Sequence, residues 1–342
     1  MTEGRVDVSV LIPVLNEERG LREVVAGMQA QRFDGDVEFL FVDGRSEDRT
    51  REILEALAAE DPRIRVLDNP ARRTPQALNV GLRAARGEYV ARMDGHTHYP
   101  PDYLARGVER LRAGGVDWVS GPQLAEGTGT WSRRVALALG SRLGTGGADF
   151  RFSADEEFEV DSGFTGVWTR ATLERFDGWD EEWLNDQDFE LAARIRKAGG
   201  RIVCVPAMAA QYVPRDSLGR LWRQYHRYGF YRVKTSLRHP ESLRRSHVLP
   251  PGVVAALAGA VVLPRPLRTL ARVGVGLYAL VLVAISAREL GRGSTADVAS
   301  LPLVFATMHV AWGIGFLRGC LELGPPVAAI RHAAGLAPQS QR

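Results

Sequence analysis

The sequence predicts an α/β protein with a mixed, mostly parallel sheet covered by helices on both faces, followed by hydrophobic helices that associate with a membrane. Three observations predict it. Apolar runs of strand length recur at 8–15, 37–44, 64–69 and 88–94. A segment with helical spacing separates each run from the next, at 19–31, 46–60 and 74–85. After residue 248, three long segments without a full charge follow one another. Near-continuous apolar strands alternating with helices belong to parallel sheets buried on both faces.

Each element has a local reason. "VSVLIPVL" is uninterrupted apolar sequence ended by Asn16-Glu17-Glu18, and "VEFLFVDG" ends the same way in Asp43-Gly44. "IRVLDN" is a third strand, "TPQALNVGLRAA" a third helix and "EYVARMD" a fourth strand. In such sheets ligands bind beyond the carboxyl ends of the strands. Asn16-Glu17, Asp43 and Asp94-His96 all fall at strand carboxyl ends. Three polar groups along one sheet edge describe a site better than three unrelated turns. By itself "ARMDGHTHYP" reads as a polar turn bounded by Gly95 and Pro100-Pro101. Its sharper reading is a cation site, with the Asp94 carboxylate and His96 imidazole two residues apart.

The 342 residues suffice for one large or two medium domains, and the usage of 45% hydrophobic and 25% charged residues is ordinary for globular proteins. The net charge of +3 is unevenly placed: between Arg215 and His247 nine Arg or Lys face two acids, which makes that segment +7. Two cysteines, Cys204 and Cys320, are too few for a disulfide framework or a zinc cage and suit a reducing compartment. The charged N-terminus leads straight into a strand, so no cleavable signal is expected. Of the apolar segments, 250–263 is short for a crossing and suits a half-buried or re-entrant piece. Segment 273–287 is fenced by Arg272 and Arg288, and 298–317 is long enough to span a bilayer core of ~30 Å. A bundle of buried core helices is the alternative. His309 is expected to face the bundle.

The runs "VSVLIPVLNEE", "FLFVDGRSEDRT" and "RTPQALNVGLRAARGEYVARMDGH" together resemble the inverting family 2 glycosyltransferases of GT-A fold, over roughly residues 7–240. A P-x-x-N-E signature is matched by Pro13, Asn16 and Glu17, and a D-x-S-x-D-x-T signature by "DGRSEDRT" with one inserted residue. The D-x-D motif reads Asp94-Gly95-His96. The resemblance implies that Asp43 accepts from N3–H of a uracil, framed by Glu17, Pro13 and Val14. It implies Asp94 on ribose or metal, His96 as second ligand to Mn²⁺ or Mg²⁺, and Arg72, Arg73 and Asn79 near the diphosphate. Imidazole favours manganese. The E-D-x-D/E-L-x-x-R pattern maps onto Gln187, Asp188, Phe189, Glu190, Leu191 and Arg194, which makes Asp188 the expected general base, with Asp186 its rival. A Q-x-x-R-W motif maps onto Gln224, Arg227 and Tyr228, with Glu190 added as a further acceptor-side or diphosphate contact.

The function implied is transfer of a hexose, with glucose as the expected sugar, from a UDP-sugar to a lipid-linked glycan carried on polyprenyl diphosphate, in extracellular or envelope polysaccharide synthesis. The catalytic part faces the cytoplasm from the inner membrane, and no nucleic acid is a partner. A sugar nucleotidyltransferase would need a Gly-rich phosphate loop where "PVLNEERG" stands. A non-catalytic membrane protein that binds nucleotide-sugar would not need Asp188. The expected organisation is a catalytic domain at 1–214, with a nucleotide-sugar half to about 100 and an acceptor half at 101–214. A basic interfacial segment at 215–248, membrane-associated helices at 249–323 and a tail at 324–342 follow.

Overall fold

The computed structural model describes residues 6–141 and 155–336; the end of the expected tail, 337–342, lies outside them. The described chain forms two compact units, residues 6–124 with 155–212 and residues 125–141 with 213–336.

The first unit opens with β1 (Val8–Val14), α1 (Leu21–Gln29), β2 (Val37–Asp43), α2 (Thr50–Glu60), β3 (Ile64–Asp68), α3 (Thr74–Ala84) and β4 (Tyr89–Arg92). β1 pairs in parallel with β2 and β4, and β2 with β3, as the apolar strand runs predict. It continues through β5 (Thr97–His98), α4 (Tyr103–Arg112), β6 (Trp118–Gly121) and β7 (Gln123–Ala125). The second unit's α5 (Thr130–Leu139) intervenes before β8 (Phe158–Glu159), β9 (Phe164–Thr169), α6 (Arg170–Arg175), α7 (Gln187–Lys197), β10 (Ile202–Cys204) and β11 (Ala210–Tyr212). The main sheet runs β3-β2-β1-β4-β9-β6-β10-β8, and β5, β11 and β7 form a small second sheet. β9 is antiparallel to both β4 and β6, so the sheet is mixed.

Two apolar layers hold the unit. Val10, Ile12, Phe39, Phe41, Leu54 and Val108 pack on one side of the sheet. Leu11, Leu40, Leu78, Trp118, Trp168 and Trp179 pack on the other. The alternation of Val10 and Ile12 with Leu11 is the strand period of two distributing one buried strand between two cores. At the amino ends of the strands, Glu38 is 2% exposed. Its carboxylate accepts from Ser9 Oγ at 2.7 Å, the Arg86 amide at 2.9 Å and the Arg65 guanidinium at 2.8 Å.

The second unit adds α8 (Leu218–Arg238), α9 (Leu249–Val262), α10 (Arg265–Ala287), α11 (Thr295–Leu323) and α12 (Val327–Ala333) to α5. Ser217 caps α8 and Ser294 caps α11, each accepting a backbone N–H three residues on. Pro264 precedes α10 and closes the turn from α9. The segments Arg245–Val262, Arg265–Ala287 and Thr295–Leu323 are long and apolar enough to cross a membrane.

Burial pushes the Glu38 carboxyl up, but the hydrogen bonds from Ser9, Arg86 and Arg65 outweigh it and hold the group below the ordinary glutamate value. A depressed carboxyl contributes stability above the unfolded-state pKa and loses it as pH falls through the folded-state value. Glu38→Gln is therefore expected to cost about 1–3 kcal/mol at neutral pH. The difference from wild type should persist to the ordinary glutamate pKa of about 4.3 and shrink below it, by about pH 3. Urea unfolding at the two pH values measures it, and a pH-independent difference contradicts the assignment.

Candidate active site

The carboxyl ends of β1, β2 and β3 turn through residues in left-handed conformation: Asn16 at φ 57°, Arg45 at 55° and Arg72 at 58°. Left-handed non-glycine residues carry strain and persist where their surroundings over-determine them. Here the surroundings are a set of cross-loop hydrogen bonds. The Asn16 amide N–H donates to Ser46 Oγ at 2.9 Å, and Asn16 Oδ1 accepts the Glu47 N–H at 2.8 Å. The Glu17 N–H donates to Thr50 Oγ1 at 2.8 Å. Ser46 Oγ in turn donates to Asp43 Oδ1 at 2.6 Å. The two motifs after β1 and β2 are thus halves of one structure, and Asn16 organises it. Asp43 is 2% exposed at the floor of this edge.

The next strand brings in the D-x-H stretch. A Cβ built on Gly95 would lie 3.3 Å from Val14 Cγ1 and 3.9 Å from Glu17 Cγ, so this loop packs against the end of β1 beside Pro13 and Val14. His96 Nδ1 stands 3.5 Å from the Glu17 carboxylate. The Asp94 amide donates to Tyr99 Oη at 2.8 Å.

The side chain that joins these parts is Arg92, which the sequence reasoning did not single out. Its guanidinium is 6% exposed and donates through Nε to Asp94 Oδ1 at 2.9 Å. Through Nη1 it donates to both Asp188 oxygens, at 2.7 and 2.8 Å. Burial works against the Arg92 charge, but Asp188 and Asp94 outweigh it and hold the guanidinium protonated. Burial, with the Asp94 charge adding to it, pushes the Asp188 carboxyl above the ordinary aspartate value, against the opposing pull of Arg92 and the Trp179 indole. A carboxylate shifted in that direction suits proton transfer. A charged residue among the apolar positions 89–93 was the readable signal for Arg92.

Asp188 and Asp186 come from the start of α7, where Asp186 stands in the N-cap position at φ 64° and its carbonyl accepts the Glu190 N–H. Trp179, 1% exposed, also missed from sequence, is fixed by a loop held from two sides. On one side Asn79 Nδ2 donates to the Trp179 carbonyl at 2.7 Å, and Asn79 Oδ1 accepts the Trp179 N–H at 3.0 Å. On the other, Arg194 donates to the carbonyls of Phe176 and Gly178 while pairing with Glu190 at 2.7 Å. The Asn79 amide is engaged by the 177–183 loop, donating to the Trp179 carbonyl and to the Glu181 carboxylate. Glu190 is fully buried and pairs with Arg194.

The other expected residues keep exposed or separate positions. Arg73 is exposed at the start of α3, and Arg72 pairs with Glu47 at 2.7 Å. Gln224, Arg227 and Tyr228 lie on α8 of the second unit, where Gln224 Nε2 donates to Tyr228 Oη at 2.8 Å. Among the described residues no group of three or more His, Cys, Asp or Glu converges as a metal cage. Asp94 and His96 follow β4 on one loop, Asp94 accepting from Arg92 and His96 standing beside Glu17.

The family model for glycosyl transferase family 2 matches residues 9–170. The chain is 32% identical over 326 residues to the succinoglycan biosynthesis protein ExoA of Rhizobium meliloti (strain 1021), covering 93% of this chain and 96% of that one. It is 32% identical over 151 residues to the undecaprenyl-phosphate 4-deoxy-4-formamido-L-arabinose transferase of Pseudomonas aeruginosa (strain LESB58), over 42% of this chain and 44% of that protein. In fold it is similar to the mannosyltransferase PcManGT from Pyrobaculum calidifontis in complex with GDP-Man and Mn²⁺, with a TM-score of 0.54 and 20% identity over 92% of this chain and 87% of that one. A mixed sheet with polar loops at the carboxyl ends of its strands, and a relative matched across nearly its whole length, lead to one conclusion: this chain belongs to glycosyltransferase family 2 and has the GT-A fold.

Proposed function

We propose that the protein transfers a hexose from a UDP-sugar to a hydroxyl of a glycan linked to a polyprenyl diphosphate, with inversion at the anomeric carbon. The observation that carries this reading is the Arg92 bridge. It joins Asp94, on the edge where the nucleotide loops meet, to Asp188, a buried carboxylate from the other half of the unit. An inverting transfer needs such a pair of regions: one to hold the leaving diphosphate, the other to take a proton from the attacking hydroxyl. The similarity to a succinoglycan biosynthesis protein and to an undecaprenyl-phosphate transferase supports a lipid-linked acceptor in polysaccharide assembly. Glucose is the expected sugar.

In this reading Asp43 accepts from N3–H of the uracil, with Glu17, Pro13 and Val14 framing the base and Arg73 meeting the diphosphate. Asp94 and His96 would hold a divalent cation, Mn²⁺ or Mg²⁺, whose contribution is to offset charge on the departing diphosphate. The acceptor oxygen attacks the anomeric carbon, its proton passes to an Asp188 oxygen, and the bond to the diphosphate breaks with its electron pair leaving on UDP. Arg92 uses one nitrogen to straddle both Asp188 oxygens, so the outer lone pair of each oxygen is not engaged by Arg92. Gln224, Arg227 and Tyr228 contribute to binding the acceptor diphosphate, and the +7 segment adds attraction to anionic headgroups of ~1 kcal/mol per cation near the surface. The donor-binding unit faces the cytoplasm.

Asp188→Asn keeps the shape of the side chain and loses its capacity as a base. At saturating donor kcat should fall by about 10² to 10⁴, with UDP affinity near wild type. Asp186→Asn should be milder. The pair is measured with a panel of nucleotide-sugars, so that the sugar is identified in the same assay. A dead Asp186→Asn beside an active Asp188→Asn moves the base by two residues.

A further inference from the structure

By length and composition α11 is the strongest candidate for a membrane crossing: its 29 residues extend about 44 Å, beyond the ~30 Å of a bilayer core. Its surroundings say otherwise. One face is buried by protein along the whole helix, at Asp297 and Leu301 near its start and at Gly315 and Gly319 near its end. In its middle α9 and α10 supply part of the cover, with Gly313 against the Pro250 carbonyl and His309 3.0 Å from the Tyr278 hydroxyl. At its start Asp297 accepts from Arg134 of α5 at 3.1 Å. Further along it runs beside α8, and the two helices advance together: His226 lies against Gly315, and Val233 against Gly319. The approach is close because glycines line it. A Cβ on Gly315 would meet the His226 carbonyl, and one on Gly229 the Trp312 carbonyl. Near its end Arg318 covers the Phe230 ring, while Phe316 joins Val233, Leu243 and Ala329 in a small core.

α8 carries Arg220, Arg223, Arg227, Arg232, Lys234 and Arg238 and no acidic residue. A crossing by α11 would draw this helix into the hydrocarbon alongside it, which six cations oppose. Among the described residues the chain reaches α5 from β7 and α8 from β11 with no helix before either that is long and apolar enough to cross, so both ends of α11 are held by elements that have not crossed. α9 and α10 differ. They turn back on each other at Leu263-Pro264, and α10 has 23 residues, about 34 Å. Their apolar side chains face outward, with Val262 76%, Leu270 69% and Leu280 66% exposed.

We infer that the tail enters the bilayer as one hairpin, α9 and α10, whose two ends lie on the same side, and that α11 stays on that side as the docking partner of α8 and α5. The lipid acyl chains are the partner of the outward faces of α9 and α10. The C-terminal residues then share a side with the glycosyltransferase unit, whatever sugar that unit transfers.

Single cysteines at Ala296→Cys and Leu336→Cys, placed in a Cys204→Ser, Cys320→Ser background, bracket α11. They are labelled with a membrane-impermeant maleimide in sealed vesicles before and after detergent. Equal labelling of the two before detergent, matching the accessibility of an N-terminal tag, is expected. Labelling of one only after detergent while the other reacts before it overturns the inference. If the cysteine-free chain fails to reach the membrane, a protease site in the 291–293 turn and an epitope after residue 336, both in the wild-type chain, give the same comparison. Cleavage and epitope reactivity from one side support the hairpin, and from opposite sides refute it.

Discussion

One buried guanidinium sets the terms for the catalytic unit. Arg92 stands on β4, and it reaches Asp94 two residues on and Asp188 from a helix that enters 96 residues later. Removing either carboxylate's counter-charge from so enclosed a place would leave an uncompensated charge, and breaking a buried pair costs about 3–5 kcal/mol. The surrounding structure is built to deliver those three groups. β9 crosses beside Arg92 with Gly166 as its register partner, because a Cβ there would collide with the Trp118 indole. The preceding Thr165 takes φ 52° and is held by the Tyr103 hydroxyl at 3.1 Å. Asn79 and Arg194 then fix the loop that carries Trp179.

The nucleotide side follows a different logic, that of loops locked to each other before any ligand arrives. Ser46 receives the Asn16 N–H and gives its own proton to Asp43, while Thr50 takes the Glu17 N–H. Groups held in advance lose less freedom when a ligand binds, which is the general advantage of preorganisation. Glu17 and His96, 3.5 Å apart, close the same edge from the β1 and β4 sides.

Much of this was legible in the sequence. Four apolar strand runs, each ended by polar residues, give the first four parallel strands and the edge on which Asp43, Asp94 and His96 stand. The antiparallel β9 was not legible, because "FTGVWT" owes its place to a glycine approach and a left-handed threonine that no periodicity encodes. The structural bond of Asn79 was not legible, because its partner Trp179 is 100 residues away. The Glu190 pair was readable, since Arg194 four residues on is a helical ion-pair spacing. The tail shows the limit of composition alone: α11 is apolar enough to cross, and only its packing against the cationic α8 reveals what surrounds it.

The central claim is that Arg92 serves the proposed transfer through Asp188, and kinetic coupling between the two residues tests it most directly. Residues that act as a unit give strongly non-additive losses. The measurement is kcat at saturating donor for Arg92→Met, made once in the wild-type chain and once in the Asp188→Asn chain. The account predicts a large loss in the first background and little further loss in the second. The same fold-loss in both backgrounds would contradict it.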